Sequence, residues 1–194
     1  MNDVELIWEE YRKVNSDYDL VHKRAYVSRD EHKAKQLIET ISKQNNWIKA
    51  YHGTDKKFNR FIPSESGYFG RGIYVTKNLI HAKAFGTLLE VFVKLENPWI
   101  YREHEPSSEE EDPWTVAWGK YAERDRTGVP LYKNKKLLSQ RLRTDGYDGV
   151  MAPNEIVVFN PNKIKLADPF TFDDDGELIP ISRRFDMDTD DIRY

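Results

Sequence analysis

The sequence predicts an α+β domain in which most neighbouring strands are antiparallel. Three observations carry this prediction: helical patterns open the chain, strand patterns follow from Trp47, and more short strands come after an inserted helical stretch. Helices and strands therefore come in blocks, which disfavours the alternating βαβ order of parallel sheets. With 194 residues, of which 39% are hydrophobic, the chain suits one domain with appended segments.

Helical spacing appears first at the N-terminus. Apolar residues recur every three or four positions over residues 2–15, which predicts an amphipathic helix. Ser28 followed by Glu31 fits a capping box that starts a second helix, and residues 34–41 give that helix an apolar face. We expect residues 1–46 to form a helical hairpin that serves packing or partner binding without chemistry of its own.

Strand patterns dominate the middle of the chain. Residues 48–52 and 72–76 are rich in β-branched and aromatic residues and predict strands, while residues 63–67 predict a loop between them. Every second residue over 89–95 is aliphatic, which predicts one long strand that Pro98 ends.

Helical composition returns at three places. Asn78 is suited to cap a short helix, and Gly86 stands where a glycine ends one. Residues 114–124 and 134–144 also predict helices, and an acidic loop at residues 103–112 precedes them.

The C-terminal part predicts short strands and an acidic arm. Three strand-like segments separated by turn residues span residues 147–167. Residues 169–194 predict a hairpin followed by an extended stretch that is ordered only by docking. Between Asp168 and Tyr194 nine acidic residues face three arginines, so the rest of the chain is mildly basic. That mild charge does not by itself indicate nucleic-acid binding.

Composition excludes several classes of site. The chain has no cysteine, which excludes disulfides, thiolate metal sites and a cysteine nucleophile. Its five histidines show no paired-ligand spacing, so we expect no metal. No run approaches the roughly 18 apolar residues of a bilayer-spanning helix, and the acidic, amphipathic start does not fit a signal peptide. We therefore expect a cytoplasmic protein without a membrane partner.

Candidate site residues lie in short motifs. His52, Gly53 and Thr54 leave a strand together, where His52 is suited to bind a ribose hydroxyl and Gly53 lets a ligand approach the backbone. Gly72 and Tyr74 lie in the next predicted strand, where the tyrosine ring is suited to lie against a flat heterocycle.

Phe85 and Glu155 complete the set. Phe85 ends the predicted short helix and is placed to close the far side of the same pocket. Glu155 puts one acid at the head of an otherwise apolar strand. Taken alone, each candidate is better explained by packing or by an exposed charge than by function. The glycines before Tyr74 are not the dinucleotide-binding fingerprint, because they precede a strand rather than a helix.

In this order and spacing the motifs resemble ADP-ribosyltransferases of the H-Y-E type, the class of diphtheria toxin and the poly(ADP-ribose) polymerases. The H corresponds to His52 in YHGT, the Y to Tyr74 in GRGIYVT, and the E to Glu155 in NEIVVF. Residues 48–168 are most similar to ADP-ribosyltransferase-like domains in polyvalent proteins of phages and mobile elements. IKAYHGT, LEVFVKLENPWI and YDGVMAPNEIVVFNPNKIKLAD carry that closer resemblance.

The resemblance implies split antiparallel β-sheets with peripheral helices, and NAD as co-substrate without a metal. It implies that Tyr74 and Phe85 sandwich nicotinamide, although the family commonly has tyrosine at the second position. Backbone groups of Gly53 would orient the carboxamide, and His52 would anchor a ribose hydroxyl. Glu155 would stabilise developing positive charge and orient the acceptor.

The resemblance also divides the chain and completes the NAD-binding set. It implies a catalytic domain over residues 47–168, which leaves the hairpin 1–46 and the acidic arm 169–194 outside it. Three further residues are expected to contact NAD: Thr54, Gly72 and Thr76.

Several functions stay open. The main prediction is transfer of a single ADP-ribose to a protein or nucleic-acid acceptor, by an effector in the host cytoplasm if the gene is phage-borne. An NAD glycohydrolase and a non-enzymatic NAD- or ADP-ribose-binding module are alternatives. An RNA 2′-phosphotransferase shares the general fold but is disfavoured, because no arginine pair flanks His52. The acceptor is not predicted: Pro153 stands two residues before Glu155, where related arginine-directed enzymes have glutamate or glutamine.

Overall fold

The computed structural model of the protein describes residues 3–101 and 135–194. It has helices packed around two β-sheets, which confirms the predicted α+β class. The predicted acidic loop at 103–112 and the predicted helix at 114–124 lie outside the described residues. In the part of the chain that is described, no helix is long and apolar enough to cross a bilayer.

In the described part of the chain, four α-helices flank the sheets. The first is longer than the predicted 2–15 and continues through residue 27. The helices are α1 (Asp3–Val27), α2 (Glu31–Gln44), α3 (Leu79–Lys83) and α4 (Lys135–Thr144).

The predicted capping box at Ser28 is wrong. The Ser28 hydroxyl donates back to the carbonyls of Arg24 and Ala25, so Ser28 belongs to the end of α1. Asp30 caps α2 instead, and its carboxylate accepts a hydrogen bond from the Lys33 amide at 3.0 Å. An aspartate that follows the tight turn can accept from the first free amides of the helix, which Ser28 is too far back to do.

Within residues 3–101 and 135–194, eight strands form two sheets. One sheet has the order β1-β4-β8 and the other the order β2-β3-β7-β6-β5. The strands are β1 (Ile48–Gly53), β2 (Ser64–Gly67), β3 (Gly70–Val75), β4 (Leu88–Val93), β5 (Pro98–Ile100), β6 (Gly149–Met151), β7 (Ile156–Val158) and β8 (Ile164–Leu166).

Three strand predictions need correction. Residues 64–67 form β2, not a loop, because they pair with β3. The predicted long strand ends at Val93, and Pro98 begins β5 rather than ending a strand. Proline is tolerated at the first position of a strand, where its missing amide is not needed. The pair β5–β6 is parallel and the other strand pairs of the described residues are antiparallel, which agrees with the prediction that most neighbouring strands are antiparallel.

The two sheets meet between β1 and β3. Tyr51 and Thr76 exchange backbone hydrogen bonds of 2.8 and 2.9 Å there. The main apolar core lies between the sheets and includes Ala50, Ile73 and Val158. The last residues of β1 and β3, next to this bridge, border an open space.

The terminal segments pack against this body. Ile38 of α2 shares a buried cluster with Phe92 of β4 and Ile181 of the C-terminal segment. On α1, the His22 Nε2 atom lies 2.8 Å from the Pro169 carbonyl. The division into a hairpin, a catalytic domain and an arm stays a prediction.

Candidate active site

A cavity of about 710 Å³ lies where the two sheets separate. β1, β3, α3 and the segments that join them form its walls. Every candidate residue from the sequence lines it: His52, Gly53, Thr54, Gly72, Tyr74, Thr76, Phe85 and Glu155.

His52 lies at the end of β1 with its ring fixed on one nitrogen. Its Nδ1 atom is 2.8 Å from the backbone carbonyl of Tyr74. A carbonyl oxygen only accepts, so Nδ1 carries the proton and donates. Burial lowers the pKa of His52 below its ordinary value, although this hydrogen bond opposes the effect. The ring is therefore neutral near pH 7, and its Nε2 atom is a hydrogen-bond acceptor.

Gly53 follows at the point where α3 crosses the end of β1. A Cβ atom there would overlap the carbonyl oxygen of Ala82 and lie 2.9 Å from the Cβ of Phe85. Glycine is thus required for α3 to approach the strand this closely. Gly53 therefore has a packing role in addition to its expected contact with NAD. The close packing of α3 on Gly53 also sets the position of Phe85 at the cavity.

Tyr74 is held at its hydroxyl. The hydroxyl donates to the Gly70 carbonyl at 2.6 Å and accepts from the Phe69 amide at 3.0 Å. The ring lies against Gly67, where a Cβ would overlap the ring atoms. Burial raises the pKa of Tyr74, so the hydroxyl stays protonated and able to donate. The tyrosine is a fixed part of the cavity wall.

Thr76 connects β3 to the loop that carries Glu155. Its hydroxyl donates to the Asn154 carbonyl at 2.7 Å and accepts from the Asn78 amide at 3.0 Å. Thr76 is 6% exposed. The same hydroxyl therefore holds Asn154, the residue before Glu155, and Asn78, the cap of α3. It connects the side of the cavity that carries Glu155 to the side formed by α3.

Glu155 directly precedes β7 and is half-buried. Burial raises the pKa of its carboxyl above 4.5, and the nearby His81 side chain opposes this rise. Within the described residues its carboxylate accepts no side-chain or backbone hydrogen bond. A carboxylate that is partly desolvated and not used by the fold is typical of a functional site.

Phe85 borders the cavity from the other side, two residues after α3 ends. Its side chain is 66% exposed and contacts the His81 ring edge-on, with 5.5 Å between ring centroids. Gly86 follows with a φ of 122° and ends the turn, as the sequence predicts.

A family profile described as "ADP-Ribosyltransferase in polyvalent proteins" matches residues 42–172. The chain belongs to this family. The predicted resemblance is thereby confirmed, and the match covers β1 to β8 together with α3 and α4.

Two further comparisons bear on this ADP-ribosyltransferase. A solved structure described as "Crystal structure of an anti-CRISPR protein" is similar at 18% identity and a TM-score of 0.33. That similarity covers 58% of this chain and 90% of the other chain. No curated protein matches the chain.

Sequence reasoning missed one wall of the transferase cavity. The segment between β1 and β2, residues 54–63, supplies three basic residues, Lys56, Lys57 and Arg60, and two aromatic residues, Phe58 and Phe61. Its composition, TDKKFNRFIP, mixes basic and aromatic residues, which was the available signal. Only the tertiary structure shows that it faces His52.

The charge of the lining is mainly positive. Glu155 is the only acidic residue among the described residues that line the cavity, whereas Lys56, Lys57 and Arg60 are basic. Such a lining favours an anionic ligand. In the described ranges, no group of three histidine or acidic side chains is arranged to hold a metal ion.

Proposed function

We propose that this protein is an NAD-dependent ADP-ribosyltransferase that transfers a single ADP-ribose to a macromolecular acceptor and releases nicotinamide. The observation that carries the proposal is the convergence of His52, Tyr74 and Glu155, far apart in the sequence, on one cavity. Enzymes of the family generally use NAD as co-substrate, and the proposal extends this to the present chain.

The cavity suits NAD in size and chemistry. Its volume of about 710 Å³ lies within the range of small-molecule sites, which is roughly 300–1,000 Å³. Tyr74 and Phe85 supply two aromatic surfaces for the nicotinamide ring. Lys56 and Lys57 supply positive charge for the pyrophosphate. NAD bound here would provide an ADP-ribosyl group with nicotinamide as the leaving group.

His52 orients the sugar. Its Nδ1–H is used by the Tyr74 carbonyl, so the neutral ring presents Nε2 as an acceptor. A ribose hydroxyl is a donor of the right kind for this atom. The role needs no protonation change at His52, which agrees with its lowered pKa.

Glu155 acts on the reacting centre. Cleavage of a glycosidic bond develops positive charge on the sugar, which a nearby carboxylate stabilises. The same carboxylate can accept a proton from the acceptor group, and its raised pKa brings it nearer to the range of a useful general base.

The acceptor is proposed only as a class. We infer a protein or nucleic-acid acceptor that docks at the cavity mouth, with the hairpin 1–46 and residues 103–112 as further contact regions. An effector acting in the cytoplasm of a host cell is the setting that we propose.

Nicotinamide release and transfer of labelled ADP-ribose test the proposal. The protein is incubated with NAD labelled in the adenylate part, with and without a bacterial lysate. We expect labelled macromolecules and free nicotinamide. Glu155→Gln should lower both by about 10²–10³-fold while NAD still binds, as loss of an electrostatic group in a preorganised site typically does.

The matched control is Glu177→Gln, because Glu177 is exposed and lies outside the cavity lining. It should leave both signals unchanged. Nicotinamide release without labelled acceptor would indicate a glycohydrolase. Binding of NAD without nicotinamide release would indicate a binding module and overturn the proposal. An unchanged rate in Glu155→Gln would remove Glu155 from the mechanism.

A further inference from the structure

One wall of the cavity is a segment without regular secondary structure. Residues 54–63 connect β1 to β2, and the structure assigns no helix or strand within them. Few hydrogen bonds within such a segment fix its backbone, so its position depends on what packs against it. Its inner side carries Phe58 and Phe61, which lie against the His52 ring with centroid distances of 6.4 and 4.9 Å.

The outer side of this segment is bound by the last residues of the chain. The Ile192 amide donates to the Asn59 carbonyl at 2.9 Å. Arg60 and Asp191 form an isolated antiparallel bridge, and the Arg60 Nε atom lies 3.3 Å from the Asp190 carboxylate. Residues 190–192 therefore supply the backbone partner that the segment lacks within itself.

The side chain of Ile192 continues this contact into the core. Ile192 is 1% exposed and belongs to the same buried cluster as Phe61. The Phe61 ring stands almost perpendicular to the His52 ring, at 89°. Packing thus runs from the end of the chain through Phe61 to the residue proposed to hold the ribose.

The core in turn fixes the C-terminal residues. The Ile192 carbonyl accepts from the Leu166 amide of β8 at 2.7 Å. The Lys165 side chain is fully buried, and its Nζ donates to the carbonyls of Thr189 and Asp191 at 2.8 and 3.0 Å. Removing these carbonyls would leave a buried ammonium without partners, so residues 189–192 are held firmly against β8.

We propose that Ile192 is a positioning residue for NAD binding: it holds residues 54–63 in the place where they support His52 and close one side of the cavity. The inference rests on the proposed function, since NAD is taken as the ligand. It assigns the acidic C-terminal arm a role in binding the donor.

The test compares two buried isoleucines of the arm. Ile192→Ala should raise the KM for NAD and the Kd from calorimetry by on the order of tenfold, because small displacements of positioning groups have large effects. Its kcat should change less than the KM, since the backbone hydrogen bonds of Ile192 go to Asn59 and Leu166 and not to the residues next to Glu155. Ile181→Ala is the control: Ile181 is 3% exposed but belongs to the cluster with Ile38 and Phe92. It should lose stability without raising the KM.

A second measurement does not depend on catalysis. Hydrogen exchange of the amides in residues 54–63 should speed up in Ile192→Ala and not in Ile181→Ala, and Ile192→Val should restore most of the protection. If the two alanine variants have the same KM for NAD and the same exchange rates in residues 54–63, Ile192 is merely structural and the inference is wrong. If wild-type protein neither binds NAD nor releases nicotinamide, the proposed function fails, whereas exchange still reports whether Ile192 fixes the segment.

Discussion

Tyr74 and Phe85 face the same cavity but are held in different ways. The Tyr74 hydroxyl makes two hydrogen bonds to the turn between β2 and β3, and its ring lies on Gly67. Phe85 is 66% exposed, and its described ring contact is the edge of His81. One ring is ordered by the fold, while the other has most of its surface in water.

The difference predicts unequal contributions to NAD binding. A side chain that is already fixed loses little conformational entropy when a ligand stacks on it, so most of the stacking energy appears as affinity. An exposed phenylalanine loses rotamer freedom on binding, which offsets part of the gain. Tyr74 should therefore matter more than Phe85, although both contribute a ring.

Tyr74→Ala should have the larger effect. It removes the stacking surface, worth roughly 0.5–1.5 kcal/mol beyond area burial, and the hydroxyl that fixes the turn next to Gly70. We expect the Kd for NAD, measured by calorimetry, to rise by about tenfold or more, since 1.4 kcal/mol is a factor of ten.

Tyr74→Phe distinguishes the contribution of the ring from that of the hydroxyl and its two hydrogen bonds. The ring stays, but the Gly70 carbonyl and the Phe69 amide lose their partner, which should lower the free energy of unfolding by about 1–3 kcal/mol. Affinity for NAD should fall less than in Tyr74→Ala. Unaltered affinity in Tyr74→Ala would remove the stacking role.

Phe85→Ala should have a smaller effect. We expect the Kd for NAD to rise about threefold, as stacking is lost and ordering of the side chain no longer opposes binding. The free energy of unfolding should change by less than about 0.5 kcal/mol, because the side chain is mostly exposed. Phe85→Tyr keeps the ring and should bind NAD normally. A Kd that rises more in Phe85→Ala than in Tyr74→Ala would reverse the comparison.

The pH dependence tests the electrostatic link between the two sides and should be the smallest effect. The proposed mechanism needs the Glu155 carboxylate, whose pKa is raised by burial. Activity should therefore fall, as pH is lowered, at a higher pH than for an ordinary glutamate. His81, next to Phe85, lowers this pKa through its positive charge, so His81→Gln should move the acid limb of kcat to still higher pH. An acid limb that stays in place, or moves to lower pH, would contradict this coupling.

Much of the fold followed from local patterns. The strands at 48–53 and 156–158 and the helix at 135–144 lie where periodicity and composition predict them. The failures occur where pairing with a neighbouring segment or the geometry of a turn decides, which the residue pattern of the segment itself does not specify. Residues 64–67 become a strand because β3 pairs with them. The cap of α2 moved from Ser28 to Asp30, since both residue types cap helices and only the turn geometry selects between them.

The sequence predicted a set of candidate residues that line the cavity, and it did not predict the shape or the contacts of that cavity. His52, Tyr74 and Glu155 were identified through the order of short motifs, which a family resemblance gathers together. Neither the protonated nitrogen of His52 nor the hydrogen bonds of the Tyr74 hydroxyl could be inferred from the sequence. Their partners are backbone carbonyls and amides, which almost every residue has, so the residue type does not mark them.

The sequence by itself determined the class of the protein: an ADP-ribosyltransferase of the polyvalent-protein family with an α+β fold. The alternation of apolar and polar residues and the short motifs are local patterns. Such patterns are enough to predict strands and to identify candidate residues. The tertiary structure alone decided how Tyr74 and Phe85 differ, and that residues 54–63 line the cavity and pack against Ile192. Those features depend on which segments pack against each other, and packing energy is set by contacts between residues distant in the chain.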